Sequence, residues 1–163
     1  LSGLAGLRGS VQGRLKVESC GSLRSLQGLE GLEVMGGVEV SDCPELESLA
    51  ALGGLRRLFM SIRLAGLPKL RSLHGFEGIT STELSETCAC QGCPWILQSS
   101  IIISDCPQLQ SIASLESVRG GLGAISISGA DSLLSLQGIG GILARSLAVQ
   151  PGPQLCVTEA QRR

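Results

Sequence analysis

The amino-acid sequence predicts a β-rich solenoid, a parallel β-helix of five full coils with partial coils at its ends and little α-helix. Three observations predict it. First, one apolar pattern recurs in fixed phase: Leu15-x-Val17-x-x-Cys20-x-x-Leu23-x-x-Leu26, then Val38-x-Val40-x-x-Cys43-x-x-Leu46-x-x-Leu49. It returns from Ile62 through Leu64, Leu67, Leu70 and Leu73, from Ile101 through Ile103, Cys106, Leu109 and Ile112, and from Ile125 through Ile127, Ala130, Leu133 and Leu136. Leu147-x-Val149-x-x-Gly152-x-x-Leu155 is a degraded sixth copy. Second, the copies start 23, 24, 39, 24 and 22 residues apart. A period of this size marks coils that bury their apolar side only by stacking on one another. Third, the chain has no Tyr, two Phe and one Trp, as expected where identical aliphatic layers stack.

Each coil opens on alternating residues, Leu15-Lys16-Val17-Glu18, Val38-Glu39-Val40-Ser41 and Ile62-Arg63-Leu64-Ala65. Period two with aliphatic residues on one face is a short strand. Successive coils run the same way, so the strands pair in parallel, about 4.8 Å apart. A corner follows at Gly21, Pro44, Pro68, Pro107, Asp131 and Pro153, where proline's fixed φ and missing N–H suit a turn. The apolar spacing then changes to three, as in Cys43, Leu46, Leu49, Leu52 and Leu55. That spacing fits tight turns, 3₁₀ pieces or brief second strands. A serine column (Ser25, Ser48, Ser72, Ser111, Ser135) and a small-residue column (Gly28, Ala51, Gly75, Ser114, Gly138) keep the same phase. They are expected to let coils approach and to let hydroxyls bond the corner backbone.

At 163 residues the chain is one domain: a repeat solenoid over 1–157, an insertion over 80–100, and a polar tail from Thr158 to Arg163. The net charge of −1 without a basic cluster argues against a nucleic-acid partner or an anionic membrane surface. No apolar run approaches the roughly 20 residues of a membrane-spanning helix. The chain opens in mid-coil, at a residue other than Met and without a signal-peptide pattern, and reads as a fragment. It contains no Asn, so this segment offers no N-glycosylation acceptor.

The segment from Leu23 to Val40, with Gly36-Gly37 before its strand, and the corner Asp42-Cys43-Pro44-Glu45-Leu46 resemble the receptor L-domain repeat. That family is a leucine-rich-repeat-like, right-handed β-helix found in receptor ectodomains and other surface proteins. The resemblance covers nearly the whole chain apart from 80–100. Cys43-Pro44 and Cys106-Pro107 stand where the family usually has Asn-Pro, and such corners are also similar to leucine-rich repeats of plant intracellular immune receptors. The resemblance implies a non-catalytic module that recognises a protein or peptide, in a larger receptor or surface protein outside the cell. The alternative it carries is a segment of a cytoplasmic leucine-rich-repeat sensor. No binding residue of the family transfers, and no cofactor is implied.

The seven cysteines fall into two groups, with Cys156 left over. Cys20, Cys43 and Cys106 share one inward column and are expected to be reduced, small core hydrophobes. Strand spacing exceeds the roughly 3.8 Å between Cβ atoms that a disulfide prefers. Cys88-Ala-Cys90-Gln-Gly-Cys93 lies in the insertion. It can form a loop disulfide such as Cys88–Cys93, remain as free thiols, or supply three zinc ligands, with His74 the nearest fourth.

Two regions are candidates for binding. The outward strand residues Lys16, Glu39, Arg63, Ile102 and Ser126 form a ribbon, whose first three members read either as a weak exposed ion-pair ladder or as part of a recognition strip. The insertion carries Trp95-Ile96-Leu97, either an anchor packed on the solenoid or an exposed hot spot. No catalytic residues are assigned. His74 has no nucleophile near it in the repeat. Asp42 and Asp105 share a corner position two coils apart, roughly 9.6 Å, which touches the spacing of an inverting glycosidase and leaves a polysaccharide-active β-helix as a weak alternative.

Overall fold

The computed structural model describes residues 6–58, 61–82 and 100–155. They form a parallel β-solenoid of about five turns without α-helix. Six strands stack in one ladder: β1 (Gly9–Glu18), β2 (Leu32–Ser41), β4 (Ile62–Ala65), β6 (Ser100–Ser104), β7 (Gly120–Ser128) and β8 (Ile142–Val149). Two short strands, β3 (Arg57–Leu58) and β5 (Ser81–Thr82), complete a second ladder between the leading halves of β2 and β7. All pairings are parallel, and the register is that of the repeat: Leu15, Val38, Ile62, Ile101, Ile125 and Leu147 stand in one row.

The long strands start earlier than their alternation announces. Leu32–Met35 and Val38–Ser41 belong to one strand but pair with two different partners, β3 and β4. The buried pair Gly36-Gly37 lies between the two halves. β5 falls inside the stretch ascribed to the insertion, so residues 81, 82 and 100 belong to the solenoid.

The core is a set of side-chain columns. Leu26, Val38, Val40, Leu46, Leu49, Leu52, Leu55, Leu64, Leu67, Leu70, Leu73 and Phe76 are all fully buried. Each buried Leu or Val contributes about 1.5–3 kcal/mol of transfer free energy, so the columns, rather than hydrogen bonds alone, hold the coils together. The serine column pairs across coils at Ser25–Ser48 and Ser72–Ser111. Its hydroxyls accept the N–H two residues on, at Ala50 (3.1 Å), His74 (3.4 Å), Ala113 (3.2 Å) and Gln137 (3.4 Å). This is the hydroxyl-to-backbone bonding that the column predicted.

The structure also shows a two-coil alternation that the single-coil pattern hides. Asp42-Cys43-Pro44 and Asp105-Cys106-Pro107 each lead into a 3₁₀ turn, Ala50–Leu52 and Ala113–Leu115. Each of these coils then ends on an arginine, Arg56 or Arg119, whose guanidinium bonds the carbonyl three residues back, at Gly53 or Glu116. The intervening coils put Gly28, Gly75 and Gly138 at the equivalent of the turn, with φ of 104°, 117° and 117°. The corner residue alternates as well. Asp42 and Asp105 adopt φ near 52° and 53°, and the residues of the following coils are Gly66 and Gly129. A side chain at Gly66 would meet the Asp42 carboxylate at 2.8 Å.

Candidate functional site

The predicted ribbon exists. Lys16 stands beside Glu39, Glu39 beside Arg63, Arg63 beside Ile102 and Ile102 beside Ser126, each pair in register across adjacent strands. Strand alternation turns these residues outward while their neighbours Val17, Val40, Leu64, Ile103 and Ile127 fill the core. Lys16 and Arg63 are exposed, and Glu39 and Ile102 are half-buried.

The ion pairs differ from a ladder along the ribbon. Lys16 pairs with Glu18 of its own strand at 2.7 Å, and Glu39 pairs with Arg14 of β1 at 3.1 Å. Long side chains on a flat sheet reach diagonal and same-strand partners as easily as the one directly opposite. Glu18 beside Lys16 raises the ammonium's pKa. Among the described residues Arg63 has no ion pair. A second inter-coil ion pair lies at the corner, where Lys69 donates to both oxygens of Glu45 at 2.7 Å and lowers the pKa of that carboxyl.

Beyond Arg63 the outward positions become uncharged. They read Ser100, Ile102 and Ser104 on β6, Ala124, Ser126 and Ser128 on β7, and Ser146 and Ala148 on β8. The face is therefore charged over its first three coils and carries hydroxyls and methyls over the rest.

The corner cysteines Cys20, Cys43 and Cys106 are free thiols. Each S–H donates to the carbonyl two residues back, at Glu18 (3.5 Å), Ser41 (3.2 Å) and Ser104 (3.3 Å). Cys43 and Cys106 are buried, and Cys20, in the outermost coil, is half-buried. Burial raises the pKa of the Cys43 thiol and pushes that of Cys106 up to about 11. Cys43 and Cys106 are therefore packing groups rather than nucleophiles, because the reactive form is the thiolate.

One cluster was missed in the sequence. His74 is not isolated: its Nδ1 lies 2.7 Å from Glu77 Oε1, and the hydroxyl of Ser114 in the next coil donates to the same oxygen at 2.9 Å. The Gly75 N–H donates to Glu77 Oε2 at 2.7 Å. Ser117 Oγ donates to the carbonyls of Glu77 (2.7 Å) and Ile79 (3.0 Å). Partial burial works to raise the Glu77 pKa, but hydrogen bonds from its own N–H, Gly75, Ser114 and His74 outweigh it and bring it to about 2. The serine bonds the carboxylate and not the imidazole, so the trio lacks the serine-to-histidine step of a hydrolytic triad. It pins two adjacent coils together. Glu30, three residues before β2's Glu33, likewise caps Gly28 N–H (2.9 Å), so the Gly-x-Glu spacing was the available signal.

Asp42 and Asp105 are exposed corner residues at positive φ, with the Gly66 coil between them. The remaining sequence candidates, Trp95, Ile96, Leu97, Cys88 and Cys93, lie outside the described residues, as do Cys90 and Cys156. Among the described residues no group of three or more His, Cys, Asp or Glu side chains is placed to hold a metal ion, and no helix is long and apolar enough to cross a membrane. No family model, curated protein or solved structure matches the chain.

Proposed function

We propose that this chain is a non-catalytic module for recognising a protein or peptide, an L-domain-like solenoid of a larger receptor or surface protein that works outside the cell. The observation that supports this reading is the in-register outward row Lys16, Glu39, Arg63, Ile102 and Ser126 on a rigid, fully packed frame. Such a row presents different side chains at fixed spacing and costs little ordering entropy when a partner docks. The aperiodicity of the row fits the same reading, because stacking demands repetition only of the inward columns.

Selection of a displayed random peptide library on the immobilised chain tests it. Enriched sequences should bind the wild type and lose at least tenfold in affinity to the variant Lys16→Ala/Glu39→Ala/Arg63→Ala/Ile102→Ala, whose melting should remain cooperative. Absence of enrichment, or hydrolysis of a polysaccharide panel that Asp42→Asn/Asp105→Asn abolishes, refutes the proposal.

The cytoplasmic-sensor reading draws on a different observation, the three reduced corner thiols. It requires that all seven cysteines titrate as free thiols in material prepared without reductant. The extracellular reading requires fewer.

A further inference from the structure

Cys20 and Cys43 are the one pair of described cysteines that stand in adjacent coils. Two residues before them Glu18 pairs with Ser41, and the same row continues through Ala65, Ser104 and Ser128. The corner column is therefore Cys20, Cys43, Leu67, Cys106 and Ala130. Cys106 has Leu67 on one side and Ala130 on the other, so no thiol adjoins it in the column. Cys20 and Cys43 point the same way, since each S–H donates to the carbonyl two residues back, at Glu18 (3.5 Å) and Ser41 (3.2 Å). Two side chains in one orientation are separated by the step from coil to coil, about 4.8 Å.

That separation selects what can join the two sulfurs. A disulfide needs them about 2.0 Å apart, less than half of the step. Two first-row metal–thiolate bonds of about 2.3 Å laid end to end span about 4.6 Å, which fits it. Zinc wants four ligands, and among the described residues no group of three or more His, Cys, Asp or Glu side chains is placed to hold a metal. A soft monovalent ion such as Cu(I) is selected by thiolates and is satisfied by two of them in line. The electrostatics favour a cation at this point. Burial raises the pKa of the Cys43 thiol, the Cys20 N–H bonded to its sulfur lowers it, and the neighbouring Cys20 sulfur raises it again. Two bare thiolates so close repel one another, and a positive ion between them removes that repulsion. A thiol too firmly protonated to act as a nucleophile still yields its proton to a metal.

We propose that Cys20 and Cys43 form a two-coordinate site for a cuprous ion, held in line between adjacent coils. On binding, two S–H bonds break, two S–Cu bonds form and two protons pass to solvent, with no change of oxidation state. Uptake therefore strengthens as pH rises. The site is independent of the recognition reading, since it lies at the corner after the strands and not on their outward face.

The test uses the whole chain carrying Cys88→Ser, Cys90→Ser, Cys93→Ser and Cys156→Ser, which leaves the three corner thiols. It is titrated without oxygen into the coloured complex of Cu(I) with bathocuproine disulfonate, whose fading reads the copper withdrawn. One equivalent per chain is expected. Adding Cys20→Ser or Cys43→Ser should weaken uptake at least tenfold, and adding Cys106→Ser should leave it within twofold, each variant still melting cooperatively. X-ray absorption of the loaded chain should find two sulfur neighbours of copper and no third. The unsubstituted chain gives a parallel comparison, in which Cys20→Ser should lower the copper stoichiometry by one. No withdrawal of copper by the four-serine chain, uptake unaltered by Cys20→Ser, uptake lost with Cys106→Ser in a chain that still melts cooperatively, or a third sulfur on the metal overturns the proposal.

Discussion

Replacing Gly75 by alanine tests whether the two-coil alternation is a packing requirement. Gly75 is buried at φ +117°, and a Cβ there would sit 2.8 Å from the carbonyl carbon of Leu49 and 3.2 Å from the Cα of Ala50, closer still to the Leu49 oxygen. Two costs add. Holding a residue with a side chain in that region of φ costs about 1–3 kcal/mol, and forcing a methyl group against packed backbone costs about 1–3 kcal/mol more. The chain has one escape, which is to adopt the 3₁₀ path that Ala51 and Ser114 take at the same position in neighbouring coils. That path would sacrifice the 2.7 Å bond from Gly75 N–H to Glu77, so the escape is itself costly. A loss of about 2–6 kcal/mol follows, or roughly 4–24 °C in Tm for a domain of this size. Gly140→Ala is the control, since nothing lies within 4 Å of a Cβ built there, and surface changes of that kind stay within about 0.5 kcal/mol. Urea unfolding of the two variants beside the wild type gives the comparison. A Gly75→Ala chain within 1 kcal/mol of Gly140→Ala would refute the reasoning.

Three further outcomes are expected. The folded Glu77 pKa, near 2, lies below its ordinary value of 4.5, so its stabilisation is fully present above pH 4.5 and is lost as pH falls through about 2. Because the carboxylate is half-exposed, solvent screening reduces its contribution to on the order of 1 kcal/mol. Chemical denaturation should find Glu77→Gln less stable by that amount at pH 7 and the gap closing by pH 2. Under native conditions at pH 8, iodoacetamide mapping by mass spectrometry should leave Cys43 and Cys106 unmodified and label both after unfolding in urea. Leu109→Ala, in a fully buried column, should cost about 2–5 kcal/mol in denaturant titrations.

The inward half of this fold was legible because stacking forces repetition. Leu15, Val38, Ile62, Ile101 and Ile125 must recur at one phase for one column to close, and they stand in register in the structure. The serine column was legible for the same reason, since each hydroxyl performs the same local bond. The second ladder was not, because Val34–Arg57 and Met35–Leu58 pair residues whose alternation is broken by Gly36-Gly37. The Glu77 cluster was missed for a related reason. His74 and Glu77 meet Ser114 only across two stacked coils, and the 37 residues between Glu77 and Ser114 carry no local signal. The ion pairs Arg14–Glu39 and Lys16–Glu18 were misread along the ribbon because register fixes which Cα atoms are neighbours and leaves long side chains free to choose diagonals.

The same division separates the residues that make the solenoid from those that give it a specific task. An inward residue is constrained by its equivalents one coil away, so its replacement changes stability and leaves the affinity of each folded molecule unaltered. An outward residue such as Arg63, or an edge residue such as Leu147, is released from that constraint. Leu147 makes the point most directly: it belongs to a buried column by sequence, yet it is half-exposed because no strand among the described residues covers β8. Its replacement by lysine removes little packing, since half of the side chain already contacts water.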